Sequence, residues 1–558
     1  MIRKTISLLL CIAMILTSFA AVLAVDKLPD VSDEMTDSSF WTTAKGDKDI
    51  LLTDDEIKAA NEIYLRSPST NFTDLKAIPE TIDGYAQRTA LEKGAKADAE
   101  YYLGWTYDKD GNLLTQSWFD KLIANTLDRN VANPQKVRWG IVVNRTVQRT
   151  FPSFEMILDD PSDPDFDYQN ISSLRVNEAV AILAHSADGK FCLARSIAYT
   201  GWVDVNDIAI CKDRDEWLSA WDFDASNALV VCDYKIYTEI SNYEPGVSGK
   251  VLTMGTVLQL ASDEDQSLYS NRSSYYAYPV YIPGRDENGN YIKLTTVIPQ
   301  HHPVSVGYLP LTREKIINTA FLALGDAYGW GGMLYSNDCS GYIRDIYKCF
   351  GIELPRNTTW QKNIAAQGYD MGDMCSEEKL ALLDTLPAGS TLFFSGHEMM
   401  YLGKRGNDRY VISSVSNIMD PDNSNAKKRT RTVMINDLDI KRANGNTWLA
   451  SLNYASVPFR PLIEGKTYET FQSPSYHDAV AFVMKNKIMQ GSGNAFFMPD
   501  AKITAEQIDI VSSRTAKLLE IDEGDERIRA LAAGLKGLKR SDAAQILMDF
   551  VNADKAAE

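Results

Sequence analysis

Two side chains in this chain can supply nucleophilic chemistry at neutral pH, cysteine with histidine as its base, and both are scarce: 7 cysteines and 5 histidines in 558 residues. Cys339 is set apart by its surroundings. Asp338 is a good helix N-cap. Ile343, Ile346, Tyr347 and Phe350 then recur at helical spacing, and Gly351 is a natural stop. The spacing places Cys339 in the first turn of a helix, where the partial positive charge favours thiolate over thiol. Of His185, His301, His302, His397 and His477, only His397 falls in the strand-like part of the same stretch. On a strand, His397, Met399 and Tyr401 share one face, so the imidazole can point across at the helix start. A thiol activated by an imidazole attacks acyl carbons. Singly, a cysteine reads as a small buried hydrophobe; the glycine-rich entry Tyr328-Gly329-Trp330-Gly331-Gly332, the capped helix and the Gly396-His397 strand together argue for a site. No His, Cys or Asp cluster shows metal-ligand spacing, so no metal and no cofactor are expected.

A chain this long exceeds one hydrophobic core, so several units must position the pair. Residues 25–137 read as a polar, helical N-terminal cap, with one helix starting at Thr53-Asp54-Asp55-Glu56. Short β-like segments follow over 138–212 and again over 213–311, a spacing that fits two small SH3-like β-barrels. From 312 to 463 the pattern is helix, helix, then strands, an α+β unit that holds Cys339 and His397. Residues 464–475 read as a linker. Residues 476–558 form a helical tail in which Lys502-Ile503-Thr504-Ala505-Glu506-Gln507-Ile508 is echoed by Gly537 to Ile546, so two related units are expected.

Residues 313 to about 460 resemble the NlpC family of cell-wall cysteine endopeptidases. The matching runs are Tyr328-Gly-Trp-Gly-Gly, Asp338-Cys-Ser-Gly, Leu354-Pro-Arg with Gln361, Leu386-Pro-Ala-Gly-Ser and Gly396-His397. The resemblance implies a papain-like α+β domain with Cys339 as nucleophile, His397 as base, and Tyr328 with the Cys339 N–H holding the oxyanion. It implies Asp338, Ser340, Trp330 and, from the first barrel, Tyr199 on the substrate side. The helical cap and two barrels ahead of the peptidase resemble multidomain relatives that cut the γ-D-glutamyl–diaminopimelate bond of peptidoglycan stem peptides. The sequence departs from that pattern at Ser413, which stands where a polar third residue, often histidine, orients the base; a serine there can accept from the imidazole Nδ1–H. Residues 476–558 resemble surface-layer homology modules, which implies a cell-wall polymer as a second partner.

Composition bounds the partners. With 57 basic against 75 acidic residues the formal net charge is −18, which disfavours nucleic acid and anionic membranes. Arg3 and Lys4, the apolar Ile6–Ala21 run and Val22-Leu23-Ala24 read as a secretory signal peptide over 1–24. The expected protein is therefore exported and wall-associated, and Cys11 leaves with the signal. Two alternatives stay open: a non-catalytic wall-binding protein with a decayed peptidase domain, and an amidase or acyltransferase on the same fold.

Overall fold

The computed structural model describes residues 26–126, 131–262, 269–491 and 496–557, the side chains of 424 and 425 excepted. The expected signal peptide lies outside the described residues. No helix among them is long and apolar enough to cross a membrane.

The unit that holds Cys339 is organised around the helix Cys339–Lys348 and a six-stranded sheet. The strand order is Ala366–Asp370, Tyr454–Pro461, Thr391–Phe394, His397–Arg405, Asp408–Asp420, Asn423–Asp437, each neighbouring pair antiparallel. Asp338 starts the helix by accepting from the Gly341 N–H at 2.9 Å. Gly351, at φ 78°, turns the chain away after it. Every residue from Ser340 to Tyr347 is buried. A helix covered on all sides must satisfy its polar groups internally, and Tyr342 and Tyr347 donate their hydroxyls to the Ala320 and Gly389 carbonyls at 2.7 and 2.6 Å.

The region expected as one N-terminal cap is two. Val31, Trp41, Leu52, Ile57, Ala60 and Tyr64 join the core of the Cys339 unit, with the Tyr64 hydroxyl donating to the Pro458 carbonyl at 2.8 Å. Ala95, Ala99, Phe119, Leu122 and Ile123 pack instead on Phe151 and Ile157 of the first barrel. Both halves are amphipathic helices, and helical periodicity does not say which neighbour an apolar face will meet.

The first barrel, residues 138–210, is one seven-stranded antiparallel sheet. The second, residues 228–306, is built from one three-stranded and two two-stranded pieces around Leu229, Val231, Leu252, Val280 and Ile298. The stretch expected as a linker, 464–475, is strapped down. Lys466 pairs with Glu56, the Glu469 carbonyl accepts from Gln367 at 2.6 Å, and Phe471 packs on the central core. In the tail, the helices Ala505–Leu518 and Arg540–Ala557 carry the two copies of the repeated motif, and Lys502 and Lys539 pair across the loops before them. The tail docks on the helix Ser376–Leu383: Glu377 accepts from the Phe497 and Met498 N–H groups, and Glu378 meets His477 at 2.5 Å.

Candidate active site

Six cysteines among the described residues are unbridged, and all but Cys339 are fully buried. Cys339 is the first residue of its helix. Its thiol lies 4.0 Å from the Thr358 hydroxyl and close to the backbone of Glu398, the residue after His397. The helix start is anchored by a saturated carboxylate. Asp338 accepts from Gly341 N–H (2.9 Å), Gly331 N–H (3.1 Å), both terminal nitrogens of Arg356 (3.1 and 2.7 Å) and the Ser340 hydroxyl (3.3 Å). Burial pushes the Asp338 pKa up, but Arg356 and the two N–H groups more than reverse this, and it ends below the usual carboxylate range. Ser340 is likewise engaged, by Arg356 at 3.2 Å. Two of the four residues expected on the substrate side, Asp338 and Ser340, thus spend these hydrogen bonds on one another, on Arg356 and on backbone N–H groups.

The expected thiolate is not the resting state. Burial first, then the Asp338 and Glu398 carboxyls, push the thiol pKa up to about 12, against the opposing pull of the Glu398 N–H and the Thr358 hydroxyl. The helix-terminus argument omitted these surroundings; desolvation of the charged form outweighs a partial charge of about one half. His397 moves the other way. Burial, then the Arg442 guanidinium, lower its pKa to about 3. Thiol and imidazole both start neutral.

His397 opens the strand His397–Arg405, with its ring 5.3 Å from Phe394 and 5.0 Å from Trp448. Its Nε2 meets the Ser413 hydroxyl at 3.1 Å. Ser413 therefore sits where the strand alignment put it, but on the Nε2 side, not at Nδ1 as expected. The register explains the contact: Met400 faces Ile412, which sets Ser413 one step along on the next strand and diagonal to His397.

The first barrel supplies one wall. Gly331 and Gly332 have φ of 60° and 94°, and a Cβ on Gly331 would lie 2.1 Å from the Asn170 carbonyl oxygen. The glycines of the entry motif thus let the chain touch the barrel strand Asn170–Leu174 backbone to backbone. Phe166 packs on Trp330 at 4.4 Å and stacks parallel to Tyr328 at 6.3 Å, and Tyr168 meets Trp330 at 5.6 Å. Tyr328 is buried, and burial, then Asp338 and Cys339, keep its phenol protonated. Tyr199 lies against Trp360 at 5.4 Å, on the rim near Arg356.

Sequence reasoning missed Phe166, Thr358, Trp360, Arg442 and Trp448. All are brought in by tertiary contact from loops or helix ends with no periodic signature. Arg356 was visible in the Leu-Pro-Arg run, but its partner was not. Among the described residues no group of three or more His, Cys, Asp or Glu could hold a metal ion.

Comparison with known proteins converges on the same segment. Residues 325–436 match the NlpC/P60 family, and residues 152–204 match an SH3 domain of the SH3b1 type. Over 118 residues the chain is 36% identical to a γ-D-glutamyl-L-lysine dipeptidyl-peptidase of Bacillus subtilis, an alignment covering 20% of this chain and 35% of that protein. The chain thus spans about a third of the length of that curated relative. An NlpC/P60 endopeptidase of Photobacterium damselae subsp. piscicida shares the fold at a TM-score of 0.62 and 20% identity, over 78% of this chain and all of that one. An NlpC/P60 protein of Bacillus cereus superposes at a TM-score of only 0.34, over 52% of this chain and 83% of its own, at 18% identity. The segment that holds Cys339, His397 and Ser413 thus matches the NlpC/P60 family, and the barrel beside it matches an SH3 domain of the SH3b1 type.

Proposed function

We propose that this protein is an exported cysteine endopeptidase that hydrolyses peptidoglycan stem peptides at the γ-D-glutamyl–diaminopimelate bond. The observation that carries the reading is Cys339 itself: partly exposed where the other described cysteines are buried, first in its helix, and close to the backbone of the residue after His397. The name of the Bacillus subtilis relative, a γ-D-glutamyl-L-lysine peptidase, supports the D-glutamyl side of the bond.

The chemistry follows from the protonation states. With both groups neutral at rest, the thiol proton passes to His397 as Sγ attacks the carbonyl carbon, and Nδ1 receives it because Nε2 faces Ser413. The carbonyl oxygen takes up the negative charge, held by the Cys339 N–H and the protonated Tyr328 phenol. His397 returns the proton to the leaving amine, a thioester remains on Cys339, and water then releases the acid and restores the thiol. Export rests on residues 1–24. The pairing of the two repeated loops at Lys502 and Lys539 supports reading residues 476–558 as two related units, for which a cell-wall polymer is the proposed partner.

The test is digestion of a γ-D-glutamyl–diaminopimelate peptide by the mature chain and by Cys339→Ala. The wild type should release a new free amine on diaminopimelate, and the variant should lose roughly a thousandfold or more in kcat. A wild-type protein that leaves the peptide whole would sink the reading.

A further inference from the structure

The strand Asn423–Asp437 slips register beside the cleft. Thr432 faces Val415 and Arg429 faces Asn417, so Thr430 and Arg431 together oppose Ser416 alone. Such a bulge re-aims a side chain, and bulges gather beside working sites. Arg431 is held in the left-handed region at φ 50°, a conformation a residue with a Cβ adopts under strain and keeps only where its surroundings impose it.

The surroundings are those of the cleft. The Arg431 carbonyl accepts the Tyr328 N–H at 2.9 Å. Its guanidinium stands 5.1 Å from the centre of the Phe166 ring and 6.0 Å from that of Tyr328. It donates to the Asp165 carbonyl at 3.1 Å and pairs with Asp163. Its Nε is buried without a partner, so the fork is aimed at the barrel loop and not arranged to satisfy its own donors. Arg429 also reaches Asp163, at 3.3 Å, but is half exposed and touches neither ring.

We propose that Arg431 is a positioning residue: from its bulge it holds Tyr328 by the backbone and clamps the first barrel's 163–166 loop over the same ring. One residue then acts on both: its carbonyl fixes the Tyr328 backbone, and its guanidinium ties the Phe166 loop over the Tyr328 ring. The proposal rests on the reading of Tyr328 as a donor to the oxyanion, and its test separates the two ideas.

Arg431→Gly keeps the left-handed turn without steric cost and removes the guanidinium; Arg431→Lys keeps the charge and loses the two-pronged fork. In the full chain without substrate, backbone amide exchange over 162–168 should quicken in the glycine variant and less so in the lysine variant. Unchanged protection overturns the clamp. With stem peptide, Arg431→Gly should cost on the order of tenfold in kcat, through misplacement of the phenol. In a Tyr328→Phe background the same substitution should cost less than about twofold, because the group to be positioned is gone. Equal losses in both backgrounds overturn the positioning role. A wild type inert towards the peptide would sink the peptidase reading, and amide exchange would still decide the clamp.

Discussion

The nucleophile end and the base end of this site are built on opposite principles. At the nucleophile end, Asp338 collects five hydrogen bonds from two backbone N–H groups, Arg356 and Ser340, all in the interior. At the base end, His397 has one neutral partner, the Ser413 hydroxyl, and is otherwise bounded by aromatic rings and the Arg442 cation. The first end is fixed by charge and geometry; the second is tuned by burial. A saturated ionic network locks backbone position, which the proposed oxyanion role of the Cys339 N–H needs, whereas a proton carrier needs a neutral environment more than a rigid one.

The comparison breaks most visibly at Arg356. Replacing it with methionine strands a buried carboxylate, a loss of about 3–5 kcal/mol in unfolding free energy by analogy with other severed buried pairs. Arg356→Met with Asp338→Asn should recover most of that stability, since the amide has no charge to strand, but not the activity. Denaturant melts with activity assays on the single and double variants decide it. A single variant as stable and active as wild type would show that the network is not what fixes the nucleophile end.

A smaller effect is expected at Ser413. Ser413→Ala removes one neutral hydrogen bond, worth about 0.5–1.5 kcal/mol, so kcat should fall by roughly threefold to tenfold with little change in melting temperature. A drop of a thousandfold would mean that Ser413 does more than orient an imidazole. Its place was legible only through the family resemblance, which expects a polar residue one strand after the base. The helix start was legible from the residues themselves, since an N-cap followed by a 3.6-residue apolar period leaves little choice. What periodicity could not report was enclosure. Phe166 and Trp448 arrive from elsewhere in the chain, and enclosure of this kind turns an expected thiolate into a thiol and holds the His397 imidazole neutral. That desolvation leaves no mark on the residues of the helix terminus itself. The split of the N-terminal cap between two cores was hidden for a related reason: an apolar helix face states that it must be covered, never by what.

The smallest effect is predicted at Arg442 and is the sharpest probe of tuning by burial. Its guanidinium lies over Phe394 at 4.4 Å and donates to the Ser395 carbonyl at 3.0 Å, so it stands beside His397 without bonding it. A nearby cation opposes protonation of the ring, and burial opposes it more, as the order of the two causes shows. The base is needed unprotonated, so the wild-type acid limb of kcat/KM should fall below the ordinary imidazole value of about 6.5. Arg442→Gln removes the lesser influence and should move that limb upward by about half a pH unit, leaving activity above pH 7 nearly unchanged because the imidazole is free in both proteins there. Arg442→Lys, which keeps the charge, should leave the limb in place. Raising the ionic strength should mimic the glutamine variant only weakly, because the pair is partly shielded from solvent. If the limb instead moves by two units or more, the cation and not burial governs the base, and the contrast between an ionic nucleophile end and a desolvated base end fails.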